Sequence, residues 1–227
     1  MKALYTVVLL MTASFLLSAC ASAPPATTDD GLVLVEESRF DSLYLKPGVD
    51  LSAYTHVHLE PCTVTFKDNW LRNQNRGQGA ASRRVAPEDM VAIKERIGEA
   101  CDRHFTEALQ DHPHYSLIQE ETAGEKILTL SPAIIDVDIR APDTRATGIQ
   151  RTYTTSFGEM SLRLEMTDAL SGDILGRIND RQRDLDDVQL RWTNRATNMA
   201  DVNRFLRAWR DYLLEGLDIA YKRSPIQ

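Results

Sequence analysis

Three residues with the chemistry of metal ligands alternate early in the chain: His56, His58 and Glu60. In an extended strand, residues i, i+2 and i+4 point to the same side, so these side chains would line one face. Imidazole and carboxylate groups bind zinc, although a site of this kind would need a further ligand from elsewhere. The alternative is a strand face in contact with water, where polar side chains have no function. The trio therefore predicts, as one alternative, a periplasmic metal-dependent hydrolase.

Two groups of aspartates could serve in acid–base catalysis. Asp136 and Asp138 are two residues apart, and Asp184, Asp186 and Asp187 form a cluster. Paired carboxylates transfer protons where burial separates their pKa values, but these positions have the pattern of a solvated strand face and an acidic loop. The sequence has no Gly-x-Ser-x-Gly turn, no Gly-x-Gly-x-x-Gly and no phosphate-binding loop. We therefore expect a non-enzymatic protein without a cofactor.

A cysteine, Cys20, ends the tetrad Leu17-Ser18-Ala19-Cys20 after a short apolar run. This is the pattern of a lipobox, which predicts a cleaved signal peptide at residues 1–19 and a diacylglycerol, with acyl chains such as palmitate, on Cys20. Two or more acyl chains anchor a protein stably in a membrane. Because Ala21 follows the cysteine, as in enterobacterial lipoproteins of the outer membrane, we expect a domain that faces the periplasm from that membrane.

Two further cysteines, Cys62 and Cys101, remain in the mature chain. In the oxidising periplasm an isolated pair is a candidate disulfide. Both would point into one core, Cys62 from a strand and Cys101 from the apolar face of a helix. The alternative is a pair of reduced, buried thiols that pack as small apolar side chains.

Two arginine-rich stretches, each with a tryptophan, could form a partner surface. The first lies between Lys67 and Glu88, and the second includes Arg181, Arg183 and Arg195. Trp and Arg are enriched at the energetic centres of interfaces, whereas the alternative is a solvated loop whose tryptophan packs in the core. The ligands that fit are an envelope protein, an anionic lipid or peptidoglycan. The candidate residues are Trp70, Arg72, Arg76, Arg83, Arg84, Arg191 and Trp192.

The elements that must position these residues follow from the spacing of apolar side chains. Five strands are predicted, at residues 55–66, 115–118, 126–139, 152–167 and 174–183, with a bulge or an edge at Pro61. Two amphipathic helices are predicted at residues 87–111 and 199–223. The order β-α-β-β-β-β-α predicts an α+β fold, in which a mostly antiparallel sheet of four to five strands has both helices on one face.

Composition predicts one domain after a tether. Residues 20–31 are small and rich in proline, as in a flexible linker, and residues 32–227 form one domain of ordinary size. The net charge of −7 becomes one unit more negative when the signal peptide, with Lys2, is removed. An acidic domain in the periplasm argues against nucleic-acid binding. A lipid or glycan carrier would need an apolar cavity, which the predicted arrangement does not obviously leave.

Several segments together resemble one known family. They are Pro47-Gly48-Val49-Asp50-Leu51, the run from Tyr54 to Val64, Glu165-Met166-Thr167-Asp168 with Gly172, and the terminal helix with Trp209. These segments resemble the Gram-negative lipoproteins of domain of unknown function 3313, over residues 39–220. The resemblance implies an envelope lipoprotein with an α+β domain and brings no catalytic residues. We therefore expect a lipid-anchored accessory or binding protein.

Overall fold

The computed structural model describes residues 23–76, 84–110, 112–119, 126–142, 152–185 and 189–222, apart from the side chains of Ala220 and Lys222. The predicted signal peptide, Cys20, Arg83, Asp186 and Asp187 lie outside the described residues. No helix in the described ranges is both long and apolar enough to cross a membrane.

The fold is α+β, as predicted. Its strands are β1 (Val33–Leu34), β2 (Ser42–Leu45), β3 (His56–Leu59), β4 (Thr63–Phe66), β5 (Ser116–Ile118), β6 (Ile127–Ile139), β7 (Thr152–Thr154), β8 (Gly158–Asp168), β9 (Ile174–Arg183) and β10 (Arg191–Thr193). Its helices are α1 (Trp70–Gln74), α2 (Pro87–Gln110) and α3 (Arg195–Lys222).

The sheet differs from the prediction of four to five mostly antiparallel strands. In the described part of the chain it has eight strands in the order β1-β2-β9-β8-β6-β3-β5, with β4 also paired to β6, and β7 and β10 form a separate two-stranded sheet. β2 pairs with β1 and β9 in antiparallel fashion, and so does β8 with β9 and β6. β3 and β4 pair with β6 in parallel, and β5 pairs with β3 in parallel. The reason is α2, which returns the chain to the starting end of β3 before β5 begins.

The predicted strand at residues 55–66 is broken at Pro61. β3 and β4 pair with successive parts of β6, His56 with Ile127 and Thr63 with Ala133. Between them the Cys62 N–H donates to Asp102 Oδ1 of α2 at 2.7 Å, and Cys62 is joined to Cys101 by a disulfide with 6.1 Å between the Cα atoms. The predicted disulfide is therefore present, and it fixes the break in the strand to α2.

The two long helices pack against one hydrophobic core. Met160, Leu162, Leu164 and Met166 of β8 are buried and alternate with more exposed residues, as in a sheet covered on one face. α2 begins at Pro87, where Asp89 accepts a hydrogen bond from the Ala86 N–H at 3.0 Å. α3 begins at Arg195 instead of position 199, because Asn194 and Thr197 exchange side-chain hydrogen bonds with each other's N–H groups.

The segment before β2 is ordered on the sheet. Thr27 forms a bridge with Val33, and the Leu34 N–H donates to the Ala26 carbonyl at 3.0 Å. The Tyr44 hydroxyl donates to the Pro25 carbonyl at 3.0 Å. The second half of the predicted tether, 20–31, therefore forms a hairpin with β1, and residues 32–47, for which no regular structure was predicted, contain β1 and β2.

The segments that carry the family resemblance contact each other. The Tyr54 hydroxyl donates to Asp168 Oδ2 at 2.6 Å, and this hydrogen bond lowers the pKa of Asp168. Asp168 also accepts hydrogen bonds from the N–H groups of Leu170 and Ser171 in the turn before β9. These residues have a structural role, since they join the turn of a hairpin to the segment that leads into β3.

Candidate binding surface

In the described part of the chain, His56, His58 and Glu60 are not grouped as ligands for a metal ion. His56 and His58 are half-buried on β3, an interior strand between β5 and β6, and Glu60 is exposed after the strand ends. Within the described ranges, no three His, Cys, Asp or Glu side chains are placed so that they could hold a metal ion. The metal-dependent alternative therefore finds no support in the described residues.

The described aspartates of the two candidate groups differ in backbone conformation and in ion-pair partners. A register shift in β6 between Ile135 and Asp138 places Asp136 in a left-handed conformation with φ of 53°. Asp136 and Asp138 consequently do not share a regular strand face, and Asp138 is in an ion pair with Lys67 at 3.3 Å. Asp184 is in ion pairs with Arg191 and Arg204. Of the described carboxylates in these two groups, Asp138 and Asp184 are in ion pairs and Asp136 is exposed.

Both arginine-rich stretches lie at one end of the sheet, which we call the Ile139 end. It is the end at which β6 finishes at Ile139, β8 begins at Gly158 and β9 finishes at Arg183. α1 lies there, because Trp70 Nε1 and Gln74 Nε2 both donate to the Ile139 carbonyl, at 3.2 and 2.8 Å. The start of α3 lies there too, since Asn198 donates to the Ala141 carbonyl at 3.0 Å.

Glu159 offsets part of the positive charge at the Ile139 end. Its side chain is only 12% exposed and forms ion pairs with Lys67 from the first stretch and with Arg181 and Arg183 from the second. Burial acts to raise the pKa of Glu159, but hydrogen bonds from Arg181 and Lys67 outweigh it, so the pKa lies below 4.5. The basic surface predicted from the sequence is therefore smaller than the number of its arginines indicates.

A Glu159→Gln variant tests this network. The Glu159 pKa is lower in the folded state than in the unfolded state, so its stabilisation is present above pH 4.5 and is lost as the pH falls below that value. We expect the variant to be less stable at neutral pH by about 1 kcal/mol, because the three cations are themselves exposed to water. Urea unfolding across the acid range should show a flatter pH dependence than the wild type. Parallel pH profiles would contradict the assignment.

Trp70 is not part of a partner surface, contrary to the prediction. It is 3% exposed, and its ring stacks on Phe66 with 4.1 Å between the centroids. The apolar partners on β4 and the Ile139 carbonyl give it a buried site, which is the alternative that the sequence left open. Arg72, Arg76 and Arg84 are exposed around it.

Two exposed aromatic residues lie on the small sheet formed by β7 and β10. Trp192 and Tyr153 are directly paired across the two strands and are 53% and 51% exposed. Their neighbours on the opposite face, Thr154 and Thr193, are buried, so the two rings share the outer face. Leu185 and Leu190, on either side of residues 186–188, are also exposed. We call Tyr153, Leu185, Leu190 and Trp192 the aromatic platform.

Hydrogen bonds and ion pairs attach the β10 side of the platform to α3. Thr193 donates to Asn198 Oδ1 at 2.8 Å on the buried side. Arg191 forms ion pairs with Asp184 at 2.6 Å and Asp201 at 3.0 Å, and Arg204 contacts the same two carboxylates. Arg191, which was predicted to face a partner, is instead used to hold Trp192 in place.

An apolar cavity of about 300 Å³ lies between β2 and α3. Phe40, Leu43, Leu45, Leu51 and Ile219 contribute apolar side chains to it. The Arg39–Glu215 ion pair, 2.8 Å long, lies at its edge, with the Arg39 guanidinium over the ring of Tyr212. This volume can accept a small apolar group. The sequence did not predict it, because Phe40 and Leu43 belong to a segment with no clear apolar period.

Comparison with known proteins places the chain in a family. A family model described as "Protein of unknown function (DUF3313)" matches residues 26–213. No curated protein matches the chain. A PelC dodecamer structure from Paraburkholderia phytofirmans is similar, with a TM-score of 0.35 and 9% identity, over 76% of this chain and 96% of the PelC chain.

A second solved structure, a neuraminyllactose-binding hemagglutinin homolog from Helicobacter pylori, has a TM-score of 0.39 and 10% identity, over 78% of this chain and 91% of its own. Neither similarity bears on what this chain does.

Proposed function

We infer that this chain, which belongs to the DUF3313 family of proteins of unknown function, is a lipid-anchored binding protein of the cell envelope without enzymatic activity. The lipobox at residues 17–20 supports acylation of Cys20 and a domain that faces the periplasm from the outer membrane. No nucleic acid is expected as a partner, since the chain is acidic.

The aromatic platform is the observation that carries this proposal. Large apolar side chains that stand together on the surface of a soluble domain mark a contact with another molecule. Trp and Tyr bury a large area while each keeps a polar group that can hydrogen-bond, which is why they are enriched at interfaces. The ion pairs of Arg191 and Arg204 hold the platform in one geometry, so little conformational entropy is lost when it binds.

In-cell crosslinking from the platform tests the proposal. A photo-reactive amino acid at position 192 should give discrete adducts with one kind of partner, either a protein or a membrane lipid, identified by mass spectrometry. The matched control is position 170, because Leu170 is also exposed but lies in the turn between β8 and β9, at the opposite end of the sheet. With the probe moved to position 190, the Trp192→Ala variant should give at least tenfold less of the same adducts.

Equal, diffuse crosslinking from positions 192 and 170 would contradict a binding role for the platform. Circular dichroism of the Trp192→Ala variant should match the wild type, since the removed ring is on the outer face of a separate small sheet.

A further inference from the structure

We propose that the aromatic platform rests on the surface of the bilayer that holds the lipid anchor. This inference relies on the proposed function for the anchor at Cys20 and for the platform as the contact surface. It names the occupant of that surface as membrane lipid and not a protein. The first support is the direction in which the chain leaves the sheet towards its N-terminus.

That direction follows from strand register. Thr27 is paired with Val33, Val33 with Leu45, and Leu45 with Gly176 of β9. Each of these pairs is antiparallel, so a path from residue 27 back to residue 25 runs alongside β9 from Gly176 towards Arg183. The chain therefore leaves towards the Ile139 end of the sheet, the end at which β9 leads directly into Asp184 and Leu185 of the platform region.

Few residues remain between the segment held on the sheet and the predicted anchor. The Pro25 carbonyl is held by the Tyr44 hydroxyl, and the Ala26 carbonyl by the Leu34 N–H. Cys20 is three residues before Ala23, which is a reach of at most about 11 Å. A flexible tether over all of residues 20–31 would let the domain turn freely, whereas this shorter one keeps the Ile139 end close to the bilayer.

The chemistry of that end fits a membrane surface. Trp and Tyr side chains concentrate at the membrane–water interface, where one part of the ring is apolar and another part is hydrated. Leu185 and Leu190 add apolar area beside them. Arg72 and Arg76 are exposed at the same end and form no ion pair with a described carboxylate, which favours anionic headgroups. Asp68 and Glu88 are also exposed near α1, so the electrostatic attraction is modest.

A fluorescence experiment on the lipidated protein in vesicles tests the inference. The chain has three tryptophans, and Trp70 and Trp209 are buried, so a change in emission reports on Trp192. The vesicles contain phosphatidylcholine and phosphatidylglycerol, with bromine placed on the acyl chains next to the headgroup as a contact quencher. We expect the Trp192 emission to shift to shorter wavelength, to be quenched by the brominated lipid and to be protected from acrylamide.

The matched control moves the probe to the other end of the sheet. A Trp192→Phe/Leu170→Trp variant should show no quenching by brominated lipid and full quenching by acrylamide, and the Trp192→Phe variant alone gives the background of the two buried rings. Arg72→Ser/Arg76→Ser should weaken quenching at Trp192 without abolishing it. Equal quenching of positions 170 and 192 by brominated lipid would overturn the orientation that we propose.

The outcomes separate this inference from the proposed function. Full acrylamide access at Trp192 in vesicles, together with discrete protein crosslinks from position 192 in cells, would overturn the membrane contact and leave a protein-binding platform. Full acrylamide access and no specific crosslinks would overturn both. A chain that is not acylated at Cys20, as read by mass spectrometry, would remove the anchor on which both depend.

Discussion

Removal of the Cys62–Cys101 disulfide is expected to lower the free energy of unfolding by about 4 kcal/mol. The two cysteines are 39 residues apart in sequence, so the bond closes a long loop and restricts the unfolded chain. Cys101 is fully buried. Both cysteines are therefore replaced by alanine, as Cys62→Ala/Cys101→Ala, because serine would place a hydroxyl in the core. Urea unfolding measures the loss, and the slope of free energy against urea should rise, because the unfolded variant is more expanded.

Reduction supplies the control for this prediction. A thiol reductant should shift the wild type towards the urea midpoint of the double variant and leave the variant unchanged. If the wild type unfolded at the same urea concentration before and after full reduction, the disulfide would contribute nothing to stability. The native α2 contacts, including the hydrogen bond between the Cys62 N–H and Asp102, would then be sufficient to hold the broken strand.

The second large effect is expected at Asp180, a buried carboxylate on β9. Asp180 accepts hydrogen bonds from Trp209 Nε1 at 2.7 Å, from the Asp41 N–H at 2.9 Å and from Gln182 Nε2 at 2.8 Å. Asp180→Ala leaves the Trp209 indole N–H without its acceptor in the core, where an unsatisfied donor is costly. We expect a loss of about 3 kcal/mol in the free energy of unfolding.

A double-mutant cycle tests the assignment of that loss. Trp209→Phe removes the buried donor, so Asp180→Ala should cost less in the Trp209→Phe background than in the wild type. The control is Asp173→Ala, since Asp173 forms an exposed ion pair with Lys46 just before the same strand and should cost under about 1 kcal/mol. Additive costs for Asp180 and Trp209 would show that their hydrogen bond is not the source of the effect.

The sequence predicted the elements with regular apolar spacing and missed those whose partners are distant. β9 and α2 match their predicted residues closely, because alternation in one and a 3.6-residue period in the other mark them locally. β1 and β2 were missed, since β2 becomes a strand only by pairing with the distant β9, and β1 only by pairing with β2. The parallel pairing of β3 with β6 depends on how α2 crosses the sheet, which apolar spacing does not encode.

The sequence also predicted only some residues of the candidate site. Trp192 was predicted as a surface residue, and it is exposed. Tyr153 was missed, because it was assigned to one continuous strand with β8, whereas β7 is a separate strand that pairs with β10. The free positive charge of Arg181 and Arg183 was overestimated. Both pair with Glu159, which lies on another strand, so this partner is recognisable only in three dimensions.

The mixed pairing of the sheet also determines the order in which its parts can assemble. β8 and β9 are neighbours in sequence, joined by the turn at Asp168, so they can pair by closing a very short loop. β3 pairs with β6 only after the whole segment from Leu59 to Ile127, including α2, has been closed into a loop. Contacts between distant residues form slowly. The β8–β9 hairpin can therefore serve as the template on which β3 docks later, and β2 later still, because it pairs with β9 across the longer segment from Leu45 to Gly176.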